Sequence, residues 1–446
     1  MKRIAVFVLA LICSASFFYA AVFDHFTYTV SDDKISITGL TDARIYMVSI
    51  PSEIDGKRVT SIAPDAFRSR NVQTVVIPDT INAIGDRAFM DCASLASIVI
   101  PDTVVDIGSS AFEGCYSLYD IGLPNFLSEI KDKTFKKCRS LINISLPTAL
   151  KEIGDDAFNG CSSLGSVSIP DSVSSIGDFV FHNCVNLKSI SFPKGCVYVP
   201  RSAFNGCVSL QVVQLHSLVQ RIEPFAFFNC FSLESISLPN SISYIGMSAF
   251  MHCQALSAVF LPNTITELSD NVFAYCYNLR TLILPSSLER IGVRAFWKCS
   301  NLTEIFIPNS VTEIAHGAFY GCRNLTRVHL PNRISVIEKN TFHGCEKLAS
   351  IQIPASVTQI GNSAFCDCTS VTSVSIPSSV VKLGEEVFYG CHNLKRIQIP
   401  SSVRSIGIDS FTGLSSELHL FVSRGSYAHR FLTEQNLRLR EVFFID

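Results

Sequence analysis

The sequence predicts a solenoid, one chain wound into stacked coils of 23 residues, and three observations predict it. A cysteine recurs every 23 residues, at Cys92, Cys115, Cys138, Cys161, Cys184, Cys207, Cys230, Cys253, Cys276, Cys299, Cys322, Cys345, Cys368 and Cys391. A phenylalanine keeps the same interval three residues earlier, from Phe89 to Phe411. Prolines mark the unit ends at 124, 147, 170 and 193, and again from 239 to 400. A fixed period of this length is the signature of stacked supersecondary units. The length of 446 residues would by itself suggest about three domains, but a stack shares one core however long it grows.

The chain opens with Met1-Lys2-Arg3, an apolar run from Ile4 to Ile12, then Cys13-Ser14-Ala15-Ser16. A charged start, a short apolar stretch and small residues make a secretory signal, assigned to residues 1–20 with cleavage between 15 and 21. The run is too short to span a bilayer. Cys13 invites a lipid-attachment reading, against which bulky Ile12 argues. Net charge is −2, which excludes a global basic field for nucleic acid or anionic membrane. With 17% charged and 48% apolar residues, the body of the chain is expected to be ordered.

The stretch Pro101 to Leu123 shows the unit, with Val104, Ile107, Gly108, Ala111, Phe112, Gly114, Cys115, Leu118, Ile121 and Leu123 at the repeating places. Fifteen units fit without insertion, and a looser one precedes them from Pro51. Leu118-x-x-Ile121-x-Leu123 alternates at its end, which predicts a short strand with one face inward. The proline that follows stops it, having no N–H for the ladder. Parallel strands stacked at about 4.8 Å would then span roughly 70 Å over fifteen units. The part carrying Gly108 and Ala111-Phe112 lacks alternation and predicts a turn with a short helical or 3-10 piece on the opposite, outer side. About seven side chains per unit point inward, and each unit hides them against its neighbours.

Sixteen cysteines beyond the signal would ordinarily imply disulfides in an exported chain. Here successive members of the column sit on parallel coils and point the same way, whereas a bridge needs Cβ atoms about 3.8 Å apart at a specific torsion. They are read as reduced core residues in a tight corner, each S–H facing a backbone carbonyl. Cys196 stands in a column of Val, Ile or Leu and reads as core, while Cys366 falls off both columns and reads as the accessible thiol. No metal or other cofactor is expected, since no Cys-x-x-Cys pair occurs and Cys-x-x-Leu places core leucine where a second ligand would stand.

These residues resemble the BspA-like, or treponemal-class, leucine-rich repeats. The resemblance rests on Cys-x-x-Leu-x-x-Ile-x-(Ile/Leu)-Pro followed by Ile-Gly-x-x-Ala-Phe, and covers residues 51–414. It implies a leucine-rich-repeat solenoid of the α/β type, an arc with short parallel strands on its concave face. It implies a β-cap over residues 21–50, carried by Tyr28-Thr29-Val30 and Lys34-Ile35-Ser36-Ile37, and a strand–helix–strand cap over residues 415–446. Ser426 is placed to N-cap a helix from Tyr427 to about Glu434, before an Asn436-Leu437 turn. It further implies an exported, surface-displayed or periplasmic binding protein, adhesin-like toward a host-matrix or cell-surface protein.

Catalytic motifs are missing: there is no His-Glu-x-x-His, Gly-x-Ser-x-Gly or phosphate-cradling Gly-Lys loop, so the chain reads as a non-enzyme. Outward strand positions are the places where units differ. They run Val76, Val99, Gly122, Ser145, Ser168, Ser191, Gln214, Ser237, then Phe260, Ile283, Phe306 and His329. The last four predict an exposed apolar stripe on consecutive strands. The same units are aromatic around the cysteine, with Phe228, Phe231, Met251, Tyr275, Tyr277, Trp297 and Tyr320. Exposed apolar patches mark interaction sites, and Trp and Tyr are favoured anchors. Two competing readings stand beside a protein-binding patch. The rings could lie flat on the corner as added core, or the chain could be an envelope or periplasmic scaffold that self-associates through them. A basic group, Lys131, Lys133, Lys136, Lys137 and Arg139, reads as a solvated face offset by Asp132, Asp155 and Asp156. His216 in place of a proline, with Pro200 and Glu223 in place of the glycine, reads as a local change of turn and not a domain boundary.

Overall fold

The computed structural model describes residues 19–434 and 441–444. Of the signal segment, only Tyr19 and Ala20 fall among them, opening the strand Tyr19–Phe23. The Asn436-Leu437 turn lies outside the described residues. The chain divides into two compact units, residues 1–216 and 217–446, and the division falls at the His216 break in the proline series.

In the first unit, strands Tyr19–Phe23, Phe26–Ser31 and Lys34–Leu40 pair antiparallel, and the third pairs parallel with Lys57–Ile62. Glu53–Ile54 folds back antiparallel on Lys57–Ile62 through Asp55-Gly56. Both turn residues have positive φ, 49° and 75°, as a tight hairpin turn requires. From there the coils begin. Strands Met47–Ser49, Thr74–Val76, Ser97–Val99 and Asp120–Gly122 form a parallel ladder in register steps of 23 or more residues. Each buries its middle residue and turns the outer two toward solvent, with Ser97 half-buried, as the alternation predicts.

A second parallel ladder runs through the segment read from sequence as turn. Ala83–Ile84 pairs with Asp106–Ile107, and Glu129–Ile130, Glu152–Ile153 and Ser175–Ile176 pair in turn. Its glycine is there for close approach. A Cβ on Gly177 would sit 2.5 Å from Asp155 N and 2.6 Å from Gly154 C, on the preceding coil.

The expected helical or 3-10 pieces are replaced by consecutive turns, because every coil holds two residues in the left-handed region. Arg87 (φ 53°) and Asp91 (φ 59°) are one such pair. Between them the N–H groups alternate in their use. Ala88, Met90 and Cys92 donate to the carbonyl three residues back, at 3.0–3.2 Å, while Arg87, Phe89 and Asp91 donate to Ser109, Ala111 and Glu113 of the next coil, at 2.7–2.9 Å. A helix would direct all of them within the coil. The alternation makes a third ladder, so buried backbone groups are satisfied around the section.

Inside lie the phenylalanines. In the first unit, ring centroids from Phe67 to Phe204 are 5.1–5.7 Å apart with planes within 17°. In the second, Phe227 to Phe411 continue at 5.3–6.4 Å. The spacing exceeds the separation of about 4.8 Å between neighbouring strands, which is the offset stacking that aromatic quadrupoles favour. The second unit repeats the three ladders and ends with Arg396–Ile399, His419–Val422 and Glu441–Phe444 in parallel. Helix Tyr427–Glu434 lies between the last two and buries Ala428 and Leu432. Ser426 Oγ accepts the His429 N–H at 3.2 Å, the N-cap expected from the sequence.

Candidate functional site

The outward residue of each three-residue strand has no neighbour to cover it except its equivalents on adjoining coils. Phe260, Ile283 and Phe306 are therefore exposed, by 59%, 56% and 66%. Phe260 and Ile283 are direct register partners, as are Phe306 and His329, whose rings lie 5.6 Å apart. His329 Nε2 is 3.6 Å from Glu304 Oε1, and Arg327 also faces that carboxylate, at 3.8 Å. Phe306, Ile307, Arg327, His329 and Gln352 line a shallow cleft of about 370 Å³. Val76 and Val99, partners in the same column of the first unit, are also open and form a second apolar pair.

The aromatic residues around the cysteine form a different surface. Trp297 stacks on Tyr320 at 3.8 Å and Tyr320 on His343 at 4.5 Å, with the Arg294 guanidinium 4.7 Å from the Trp297 ring. His252 stacks on Tyr275 at 4.3 Å and meets Phe228 edge-on, while Tyr277 meets Tyr275 edge-on and Lys298 Nζ lies 5.5 Å from the Tyr275 ring. Phe228, Met251, Tyr275, Trp297 and Tyr320 are half-buried, while Phe231 and Tyr277 remain exposed. In part, then, the rings extend the core, as the competing reading held.

Tyr277 and Tyr320 join Lys298, Arg323, His343, Glu346 and Asp367 around a cleft of about 650 Å³. The charged members were not anticipated. This cleft shares no residue with the one at Phe306, so the residues singled out from sequence divide between a strand-face stripe and a turn corner, and of them only Phe306 and His329 line one cleft and Tyr277 and Tyr320 the other. Burial lowers the His343 pKa below its usual value, against Asp367 and Glu386, which raise it.

The column thiols take the role expected of them. Cys115 Sγ donates to Phe89 O at 3.1 Å, Cys207 to Phe181 O at 3.1 Å and Cys276 to Phe250 O at 3.1 Å, each reaching back to the coil before. Burial pushes their pKa values up. Cys196 is also buried, and burial pushes its thiol up to about 11. Cys366 corrects the sequence reading: it is 4% exposed, not the accessible thiol. It follows the core Phe365, a place whose side chain is covered by its equivalents on neighbouring coils. Burial first, then Asp367 and Glu386, push it up to about 12. Of the basic group, Lys136 lies 3.2 Å from Asp156, as expected, whereas Lys131 meets Asp106 at 2.6 Å and Arg139 the Tyr116 ring, partners other than the expected Asp132 and Asp155.

The BspA type leucine-rich repeat region matches this chain over residues 60–188, 174–303 and 290–418. Among solved structures, a leucine-rich repeat protein from Bacteroides ovatus is similar at 30% identity, covering 87% of this chain and 100% of its own, with a TM-score of 0.74. The leucine-rich repeat protein of T. pallidum is also 30% identical, over 52% of this chain and 88% of its own, with a TM-score of 0.36. A leucine-rich cell surface protein from Faecalibacterium prausnitzii is 22% identical over 94% of this chain and 97% of its own, with a TM-score of 0.40. No curated protein matches the chain. With the repeat matched across most of its length, the chain belongs to the BspA type leucine-rich repeat family.

Proposed function

We propose that the chain is an exported, non-enzymatic recognition protein that holds a protein partner, in the manner of an adhesin, through the strand-face stripe Phe260–Ile283–Phe306. One observation carries this reading: three large apolar side chains on consecutive coils each keep more than half of their surface in water. The fold has no use for them there, since the core is closed by the inward residues Val259, Leu282 and Ile305. A contiguous exposed apolar run flanked by charge, here Glu304, Arg327 and His329, has the make-up of a recognition surface. Export is supported by the charged and apolar start of the sequence. Among the described residues no helix is long and apolar enough to cross a membrane.

Burying a side chain of this size contributes about 1.5–3 kcal/mol. Replacing Phe260 and Phe306 together by serine should therefore weaken partner binding by about 100-fold or more. The test measures the dissociation constant of the purified chain on immobilised fibronectin, laminin, collagen and fibrinogen, for wild type and for Phe260→Ser/Phe306→Ser. Binding lost in the variant, with an unchanged melting curve, is the expected result. Equal affinity of the two chains rejects the stripe as the site. Failure on all four ligands rejects the adhesin reading. A mass that rises with concentration for wild type and not for the variant assigns the stripe to self-association instead.

A further inference from the structure

The place after the core phenylalanine runs Trp297, Tyr320, His343, Cys366 and Tyr389 at 23-residue intervals. Ring stacking carries from Trp297 to His343 and stops there, because the next coil offers a thiol in place of a ring. Asp367 follows that thiol. An imidazole, a thiol and a carboxylate thus converge, one donor atom of each lying within 4.8 Å of the other two. His343 Nε2 is 3.7 Å from Asp367 Oδ2. His343 Nδ1 is buried and has no hydrogen-bond partner among the described residues. Coil-to-coil backbone bonds fix the segments, from Gly344 N to Cys366 O at 2.8 Å and from Asp367 N to Tyr389 O at 2.7 Å.

We infer that His343, Cys366 and Asp367 are the ligands of a zinc ion. The imidazole nitrogen that faces the carboxylate is Nε2, 3.7 Å from Asp367 Oδ2, and the Cys366 thiol meets the same cluster. A divalent cation there takes the Nε2 lone pair and turns the carboxylate from an adverse neighbour of a thiolate into a favourable one. Mixed sulfur, nitrogen and oxygen donors suit zinc, whose ligand atoms stand about 3.5 Å apart in a tetrahedron. The His343–Asp367 pair is already near that distance, and the thiol closes on it by side-chain rotation. Three protein ligands leave a fourth position for water, and His343 and Asp367 both line the cleft shared with Arg323 and Glu346.

The repeat supplies an internal control. His182 holds the same place in another coil, and its Nδ1 is likewise buried without a partner among the described residues. Its equivalents on the neighbouring coils are Asn159 and Asn205, so it has no thiol beside it, and the carboxylate near it, Asp156, is already paired with Lys136.

The full chain, reduced and freed of metal, is titrated with cobalt(II) and then zinc. One cobalt per chain should bind, giving a thiolate-to-cobalt charge-transfer band that zinc abolishes. Cys366→Ser should remove the band, His343→Ala and Asp367→Asn should each weaken zinc binding by about tenfold or more, and His182→Ala should do neither. Other coils carry Met90, Glu113, Lys136 and Asn159 at the Cys366 place, so the variants are compatible with the coil, and melting curves verify it. Absence of a thiolate band in the wild type, or a band that survives Cys366→Ser, overturns the site.

Discussion

Phe181 O receives the S–H of Cys207 at 3.1 Å, and the same bond recurs from coil to coil. A hydroxyl could make this bond, but the corner is otherwise apolar, and sulfur is the donor that loses least by leaving water. Reactivity needs the thiolate, which burial disfavours throughout the column. The sixteen described cysteines are all buried. In a chain beginning at Ala21, all sixteen should therefore stay unlabelled by Ellman's reagent in native buffer over minutes, and all should react in guanidinium. Rapid native labelling of any one, followed by peptide mapping, would refute the burial assigned to it. The periodicity made the column legible as core, since only a repeated inward position demands one small apolar residue fourteen times. Cys366 lies off the cysteine column, so that column gives no sign of its burial. Set in its own column, after Tyr320 and His343, it reads as a covered residue with His343 directly beside it.

At the scale of the element, the three-residue strands and the helix Tyr427–Glu434 were legible because side-chain type marks them: alternation for one, a serine cap for the other. The second ladder and the turn ladder were not. The second ladder is built of two-residue strands too short to alternate, and the turn ladder rests on backbone groups at positions as varied as Arg87, Ser110, Lys133, Asp156 and Phe179, all in the left-handed region. Glycine would have betrayed that conformation, yet in this column only Gly317 does. Each such residue carries strain of about 1 kcal/mol, offset by the N–H it delivers to the next coil. The glycines of the second ladder answer to a different constraint, close approach at ordinary φ. Six coils put Lys131, Pro200, Glu223, Ser269, Ala315 or Glu338 there, so a coil can shift to admit a Cβ. Gly177→Ala should accordingly cost about 1–2 kcal/mol through that shift. Lys133→Gly should stay within about 0.5 kcal/mol of wild type, relief of strain offsetting added chain entropy. Urea melts of both variants test the distinction, and equal losses would refute it.

At the scale of the whole molecule, a stack of coils that touch only their neighbours behaves as a one-dimensional array, with stability the sum of coil and interface contributions. Such an array tolerates removal of a whole period and not of a part. Residues 147–169 are one period of the first unit. Their removal joins Leu146 to Pro170, the same peptide sequence type as Leu146-Pro147. Every bond the lost coil made is then offered again by the next. Asp155 donates its N–H to Asp132 Oδ1 at 2.8 Å, and Asp178 donates to Asp155 Oδ1 at 2.7 Å, so after removal Asp178 meets Asp132. Phe135 likewise meets Phe181 in place of Phe158. Removing residues 147–157 instead joins Leu146 to Phe158 and puts a core ring where the proline turn belongs, throwing the inward set of every ladder off register. The full-period deletion should keep the circular dichroism spectrum and a cooperative melt lowered by a few degrees. The partial deletion should lose the cooperative transition. Equivalent behaviour of the two would mean that coil-to-coil register is not what holds the molecule together.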